Sequence, residues 1–296
     1  MPEQTQSPLV KPLKIAIIGN PNVGKSTIFN QLTGLSQKIG NYPGVTVDKK
    51  IGMMNYQGST YEIIDLPGTY SLYPNSEDEI IAHRVLNQLS EVERPDYVLM
   101  VIDSLQLSRG MFLASQLIDL GLNLALVLNM SDLAEKHDLE IKGFELFKAL
   151  GVPILNTDAR GSKGLEQIRE LIHQKNFSKK SQFLQVDDFI DSSLLQDIKE
   201  KFDLSNDYQA YQILRFGLKD KIDSLNINLE SAQLEETKLR YRKITGIIEK
   251  VLVKKEDRKE SSNTIDKIIL HPVFGYLVFA SILLVIFQAI FAWATV

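Results

Sequence analysis

Gly19-Asn20-Pro21-Asn22-Val23-Gly24-Lys25-Ser26, with Thr27 behind it, has the spacing G-x-x-x-x-G-K-[ST]. A chain of phosphates needs backbone N–H groups aimed inward, and glycines let a backbone turn tightly and come close enough to supply them. The apolar run 13–18 stands directly before Gly19, and a helical pattern begins at about Lys25. Strand, loop and helix in that order bring the positive end of the helix to the phosphates. Lys25 is then expected to reach the β- and γ-phosphates, and Ser26 to ligate magnesium.

The rest of the first half extends this pattern. Residues 45–54 and 60–65 flank the turn Tyr56-Gln57-Gly58-Ser59 and read as a hairpin. Further apolar runs lie at 97–102, 124–128 and 152–155, with helical spacing at 80–89, 111–120 and 144–150 between them and a closing helix at 165–172. Strands alternating with helices predict an α/β domain of the P-loop type, a mostly parallel sheet with helices on both faces. From Asp187 onward the spacing is helical with no strand signal, clearest in Ile244, Ile247, Ile248, Val251 and Leu252 on one face. The expected organisation is a loose leader at 1–12, the sheet domain at 13–177, a small all-α domain at 183–262 and an apolar segment at 270–296.

Two more groups of residues complete a candidate site. Asp65-Leu66-Pro67-Gly68 follows the second hairpin strand; a carboxylate there suits a magnesium shell, and Gly68 can offer its N–H to a γ-phosphate. Between the two phosphate motifs, Asn41-Tyr42-Pro43-Gly44-Val45-Thr46 supplies Gly44, Val45 and Thr46 as nucleotide contacts, with the Thr46 hydroxyl completing the magnesium shell. Asn129-Met130-Ser131-Asp132 follows the strand at 124–128. Asp132 would accept from the N1–H and amine of guanine; adenine lacks that donor pair and would leave a buried Asp132 unpaired, and an unmatched buried polar group discriminates better than shape. Asn129 would hold the loops together, and Thr157-Asp158-Ala159 would set a backbone N–H on the guanine carbonyl. The pattern predicts GTP and GDP as ligands, with magnesium.

Bulk composition narrows the alternatives. The 296 residues are 44% apolar and 24% charged, with a formal net charge of -4, which gives no support for a nucleic-acid partner. There is no cysteine, so disulfides, zinc–cysteine sites and iron–sulfur ligation are excluded. Pro272 and the 24 residues after it carry no charge; as a helix they would span about 37 Å, enough to cross a hydrocarbon core of about 30 Å. Arg242, Lys243, Lys250, Lys254, Lys255, Arg258, Lys259 and Lys267 crowd the N-terminal side of that segment, which predicts that residues 1–270 face the cytoplasm. The chain stops where the segment stops, as expected of part of a longer membrane protein.

On these residues the sequence resembles the ferrous iron transport protein B family. The resemblance rests on GNPNVGKST at 19–27, NYPGVTV at 41–47, DLPGTYSL at 65–72, NMSD at 129–132 and IDKIILHPVFG at 265–275. It implies a cytoplasmic G domain, a helical domain thought to slow GDP release, and a polytopic Fe(II) transporter in the bacterial inner membrane, in which small accessory proteins or further copies join as partners. By this resemblance Lys25, Asn22, Thr46 and Gly68 serve GTP hydrolysis, Asn22 holding a potassium ion that stimulates a slow reaction. Thr69 stands where Ras-type proteins carry a water-positioning glutamine. Asp158 departs from the family, which usually has serine there. The alternative is a membrane-tethered assembly GTPase of the Era or TrmE kind. It would show a basic module after the G domain, whereas 183–262 carries mixed charge with acidic pairs at Asp187-Asp188 and Glu235-Glu236.

Overall fold

The structure, a computed structural model, describes residues 12–34, 37–42, 47–87, 94–178, 182–204, 206–217, 228–254 and 271–293. It divides into two units, 1–254 and 255–296. The first is an α/β fold built on a mostly parallel sheet. Its seven-stranded sheet has the order β2-β3-β4-β1-β5-β6-β8. The strands are β1 Leu13–Gly19, β2 Gln37–Asn41, β3 Asp48–Tyr56, β4 Ser59–Asp65, β5 Tyr97–Asp103, β6 Leu124–Asn129 and β8 Ile154–Asn156. β1 pairs in parallel with β4 and β5, and β5, β6 and β8 continue in parallel. β2 and β3 join antiparallel at the β4 edge.

Unbroken apolar runs become strands here because both faces of the sheet are covered. Ile15, Ile17, Leu99, Val101, Ala125 and Val127 point to one core, with α1 Lys25–Thr33 and α6 Leu165–His173. Their neighbours Ala16, Ile18, Met100, Ile102, Leu126 and Leu128 point to the other, with α2 Glu77–Leu86 and α3 Leu107–Asp119. α2 starts where Ser76 accepts from the Glu79 N–H, and Glu77, Asp78 and Glu79 place negative charge on its N-terminal end.

The second core also contains the helical part, α7 Gln196–Phe202, α8 Asp207–Gly217 and α9 Leu229–Val251. Ile244 and Val251 of the expected stripe are buried in it, and Ile247 and Ile248 pack against it. Leu252 does not continue the helix. It opens β9 Leu252–Lys254, which pairs antiparallel with β7 Leu139–Ile141, just after α4 Ser131–Lys136. The absence of strands after Asp187 is therefore corrected. A three-residue strand has too few alternating positions to show a period of two, and its partner is distant in sequence. β2 was missed for a related reason: Gln37-Lys38-Ile39-Gly40-Asn41 is polar and glycine-bearing, as an edge strand tolerates.

Where α9 meets α3 and α8, polar groups are sealed inside. Arg240 Nη1 lies 2.6 Å from Asp119 Oδ2, and Arg240 Nε lies 2.7 Å from Glu236 Oε1. Tyr208 donates to Glu236 Oε1 at 2.8 Å, Tyr73 donates to Glu236 Oε2, and Arg240 also donates to Ser115 Oγ. Burial pushes the Asp119 and Glu236 carboxyls up, with Arg240 opposing it. In the second unit, α10 Phe274–Trp293 holds the one candidate membrane span among the described residues, Phe274–Phe291, by length and composition.

Candidate functional site

The C-terminal ends of β1, β4, β5, β6 and β8 carry the loops that hold the candidate residues, the usual place for a site on a parallel sheet. Two glycines make the phosphate loop possible. At Gly19 a Cβ would lie 2.2 Å from the Val101 carbonyl oxygen, so β1 and β5 could not approach as they do. Gly24 has φ +91°, and its Cβ would lie 2.3 Å from Asn129 Nδ2. Asn22, at φ 65°, is exposed, and Val23 is buried below it.

Lys25 is drawn in, and its Nζ donates to the Asn20 carbonyl at 2.8 Å. Burial lowers its pKa from 10.5 to about 8, partly offset by the nearby Asp65 carboxylate. Asp65 accepts from Ser26 Oγ at 3.2 Å through Oδ2. Its own pKa is raised by burial, against Lys25 and the Ser26 hydrogen bond. Asp65 Oδ1 and Asn20 Oδ1 are buried without a partner in the structure. The next segment is tied to the phosphate loop: Leu66 N–H donates to Ile17 O at 3.0 Å, and Thr69 N–H to Gly19 O at 3.2 Å. A Cβ on Gly68, after the half-buried Pro67, would come within 3.0 Å of Lys25 Nζ and 3.1 Å of Pro21 N. Thr69 is buried and donates to Ser71 O at 2.7 Å and toward Glu79 Oε1 at 3.3 Å, so its hydroxyl is turned into its own loop. Gly44, Val45 and Thr46 lie outside the described residues.

At the other end, the side chain of Asn129 is a node. Its Nδ2 donates to Val23 O at 2.9 Å. Its Oδ1 accepts from Thr157 Oγ1 at 3.1 Å and from Ala159 N–H at 3.0 Å. Three loops from three strand ends are thus fixed by one buried amide. Met130 takes φ 61° and starts α4, and Ser131 N–H donates to Thr157 O at 3.1 Å. Asp132, in the first turn of α4, is not buried as expected: its side chain is 37% exposed and stands 3.6 Å from Lys136 Nζ. An exposed pair of this kind contributes at most about 1 kcal/mol, so a ligand with two good donors would displace it.

A cavity of about 440 Å³ joins the two ends, lined by Asn22, Gly24, Lys25, Ser26, Thr27, Asn129, Met130, Asp132, Leu133, Asp158, Ala159 and Arg160. Leu133 and Arg160 were not foreseen, and neither was Ser104, whose Oγ donates to Asn129 O at 2.7 Å. Ser104 had one usable signal, its place right after the strand end at Asp103. The other two carry none in residue type. Among the described residues no three His, Asp or Glu side chains converge as a metal cage. A magnesium ion on Ser26 and Asp65 would take further ligands from water and phosphate besides the expected Thr46 hydroxyl, the usual arrangement for that ion. The orphaned Asp65 Oδ1 fits such an ion.

Comparison with known proteins gives the same outline. A family model described as ferrous iron transport protein B matches residues 13–172. The chain is 31% identical to the Fe(2+) transporter FeoB of Leptospira biflexa over 97% of this chain and 45% of that protein. It is 33% identical to the Fe(2+) transporter FeoB of Staphylococcus aureus strain COL over 94% of this chain and 44% of that protein. The chain thus spans about half the length of the curated relatives it matches. Among solved structures, the cytosolic domain of T. maritima FeoB in a GDP form superposes with a TM-score of 0.70 at 28% identity, covering 82% of this chain and 100% of that one. The cytosolic domain of L. pneumophila FeoB gives a TM-score of 0.67 at 31% identity, covering 81% of this chain and all of that one. A T. maritima form with GMPPNP is equally similar, with a TM-score of 0.70 at 27% identity over 81% of this chain and 99% of that one.

Proposed function

The chain belongs to the ferrous iron transport protein B family, and on that footing we propose that it binds GTP and hydrolyses it to GDP and phosphate as the cytoplasmic part of a ferrous iron transporter. The observation that carries the reading is Asn129. One buried amide joins the phosphate loop at Val23 to the loop at Thr157 and Ala159, which sets a base pocket at a fixed distance from a phosphate cradle.

In this reading Gly19 to Thr27 wrap the phosphates, and Lys25 turns from the Asn20 carbonyl to the β- and γ-oxygens. Ser26 and Asp65, with Thr46, would hold magnesium, which would supply positive charge against the phosphates. Gly68 gives its N–H to the γ-phosphate, and Asp65 to Gly68 follow the presence of that group. With the Thr69 hydroxyl engaged in its own loop, no side chain described here orients the attacking water from that position. A potassium ion held by Asn22 would supply positive charge between the phosphates. Asn22 suits it, being exposed and lining the cavity beside Lys25. Asp132 reads guanine, Met130 and Asp158 line the cavity beside it, and Gly44 and Val45 are further nucleotide contacts in this proposal.

The division into a leader at 1–12, a G domain at 13–177, a helical domain at 183–262 and a membrane segment at 270–296 belongs to the same proposal. So does its setting: residues 1–270 in the cytoplasm, α10 in the bacterial inner membrane, and Fe(II) as cargo of a longer transmembrane assembly that includes accessory proteins or further copies. The test is GTP turnover by the purified chain in potassium and in sodium, repeated with Asn22→Ala. Faster turnover in potassium that disappears in Asn22→Ala supports the reading. Equal rates in the two salts remove the potassium role, and no turnover in either removes the hydrolase.

A further inference from the structure

Ser104 stands one residue past the end of β5, buried, and is not among the residues that line the cavity. Its Oγ donates to the Asn129 carbonyl at 2.7 Å. The β5–β6 ladder ends at the pair Asp103 and Asn129, so this hydroxyl adds one bond beyond the last backbone pair. Ser104 is itself held in a tight turn over Ser104–Gln106: Asp103 Oδ1 accepts from the Leu105 N–H at 2.9 Å, and Asp103 Oδ2 from Gln106 Nε2 at 3.2 Å. The carbonyl that Ser104 grips belongs to the peptide plane between Asn129 and Met130. The next plane, between Met130 and Ser131, is gripped through the Ser131 N–H, which donates to Thr157 O at 3.1 Å. Between the two planes Met130 takes φ 61°, a conformation that residues other than glycine rarely adopt. Met130 O then accepts from the N–H groups of Leu133 and Ala134, 3.1 Å each, and α4 begins with Asp132 in its first turn.

We propose that Ser104 is a positioning residue for guanine selectivity: it holds the Asn129–Met130 peptide so that α4 presents Asp132 at the angle the base requires. The inference rests on the guanine reading given above and adds to it a residue that does not line the nucleotide cavity. A left-handed methionine persists only where its surroundings fix it. Thr157 fixes one flanking plane and Ser104 the other. Without the hydroxyl the 129–130 plane is free to turn, Met130 relaxes toward commoner angles, and the first turn of α4 swings with it. Accepting two donors at once is an angular demand, whereas accepting one tolerates rotation. A swing of Asp132 therefore costs the second donor of guanine first. The Asn129 side chain keeps its own bonds to Val23, Thr157 and Ala159, so the phosphate cradle stays as it is.

The experiment is calorimetric titration of the full chain with GDP and with inosine diphosphate, which lacks the 2-amino donor, for wild type, Ser104→Ala and Ser104→Cys. Ser104→Ala should weaken GDP binding roughly fivefold, the scale of one neutral hydrogen bond. It should weaken inosine diphosphate by less, so that the ratio of the two affinities narrows. Ser104→Cys keeps the shape with a weaker donor and should fall between alanine and wild type; it carries the same comparison if the alanine variant does not fold. Placed on Asp132→Ala, Ser104→Ala should add nothing, because the residue it positions is gone. A general loosening of the fold would instead weaken both diphosphates by one factor and persist in the Asp132→Ala background. That result overturns the inference, as does an unchanged affinity ratio in a variant that folds, while the guanine reading stands. Equal binding of GDP and ADP by the wild type overturns both.

Discussion

The Asn129 side chain, at the end of the cavity assigned to the base, has its Nδ2 and Oδ1 both bonded inside the protein, whereas at the phosphate end Asn20 Oδ1 and Asp65 Oδ1 are buried without partners in the structure. At the base end the Asn129 bonds are architecture; they join loops and need not change when a ligand arrives. At the phosphate end Lys25 rests on Asn20 O and Ser26 on Asp65, and the proposed ligands would replace both contacts. A molecule that must exchange GDP for GTP while keeping hold of the same base is well served by one fixed end and one convertible end. An orphaned polar atom is costly where nothing replaces water, and at the phosphate end the ion proposed there would satisfy Asp65 Oδ1.

Lys25→Ala attacks the convertible end hardest. It removes two charge-assisted contacts to phosphate and should weaken GTP binding by roughly 10³-fold. Calorimetric titration will show this, and tight binding by the variant would mean that the lysine does not turn toward the phosphates. Asp132→Asn tests the fixed end. GTP affinity should fall by roughly 10²-fold while xanthine nucleotides gain, since a carbonyl in place of the amine prefers a donor. Equal competition by ATP in the wild type would break the assignment of that end. The third effect is smaller and belongs to the phosphate end alone. Lys25 titrates near pH 8 instead of 10.5 in the folded chain. Between those values the unfolded chain binds the extra proton, so stability without nucleotide rises with pH, by up to about 3 kcal/mol for this group. Nucleotide affinity should run the other way, falling roughly tenfold per pH unit above 8 as the ammonium is lost. Denaturant melts of wild type minus Lys25→Met isolate the first trend; parallel curves would show that Lys25 stays charged.

Much of this was legible because the phosphate motif constrains backbone and residue type together. A loop that needs glycine at 19 and 24, a lysine at 25 and a hydroxyl at 26 leaves few alternatives, and the strand before it and helix after it follow from the apolar spacing. The sheet core was readable because β1, β5 and β6 are apolar on both faces. Part of what escaped was decided by contacts distant in sequence. β7 and β9 are three residues each and exist as strands only because they find each other. The exposure of Asp132 depends on how α4 is mounted, whereas its pairing with Lys136 is a local i,i+4 contact. The hydrogen bonds from the Arg160 and Gly161 N–H groups to Asp158 Oδ1 depend on local backbone angles that residue types alone do not give.

The polar seam between α3 and α9 has a consequence for how this protein comes apart. Two carboxylates share one guanidinium in a space where Arg240 and Glu236 have no solvent exposure at all. Parting the helices part-way would leave those charges out of each other's reach before water could enter, a state dearer than either the closed seam or full separation. The apolar cluster around the seam runs without a break from the sheet strands β5 and β6 into α8 and α9. Melting of residues 13–254 should therefore be cooperative, a single heat-absorption peak in which sheet and helices are lost together, with the ratio of van't Hoff to calorimetric enthalpy close to one.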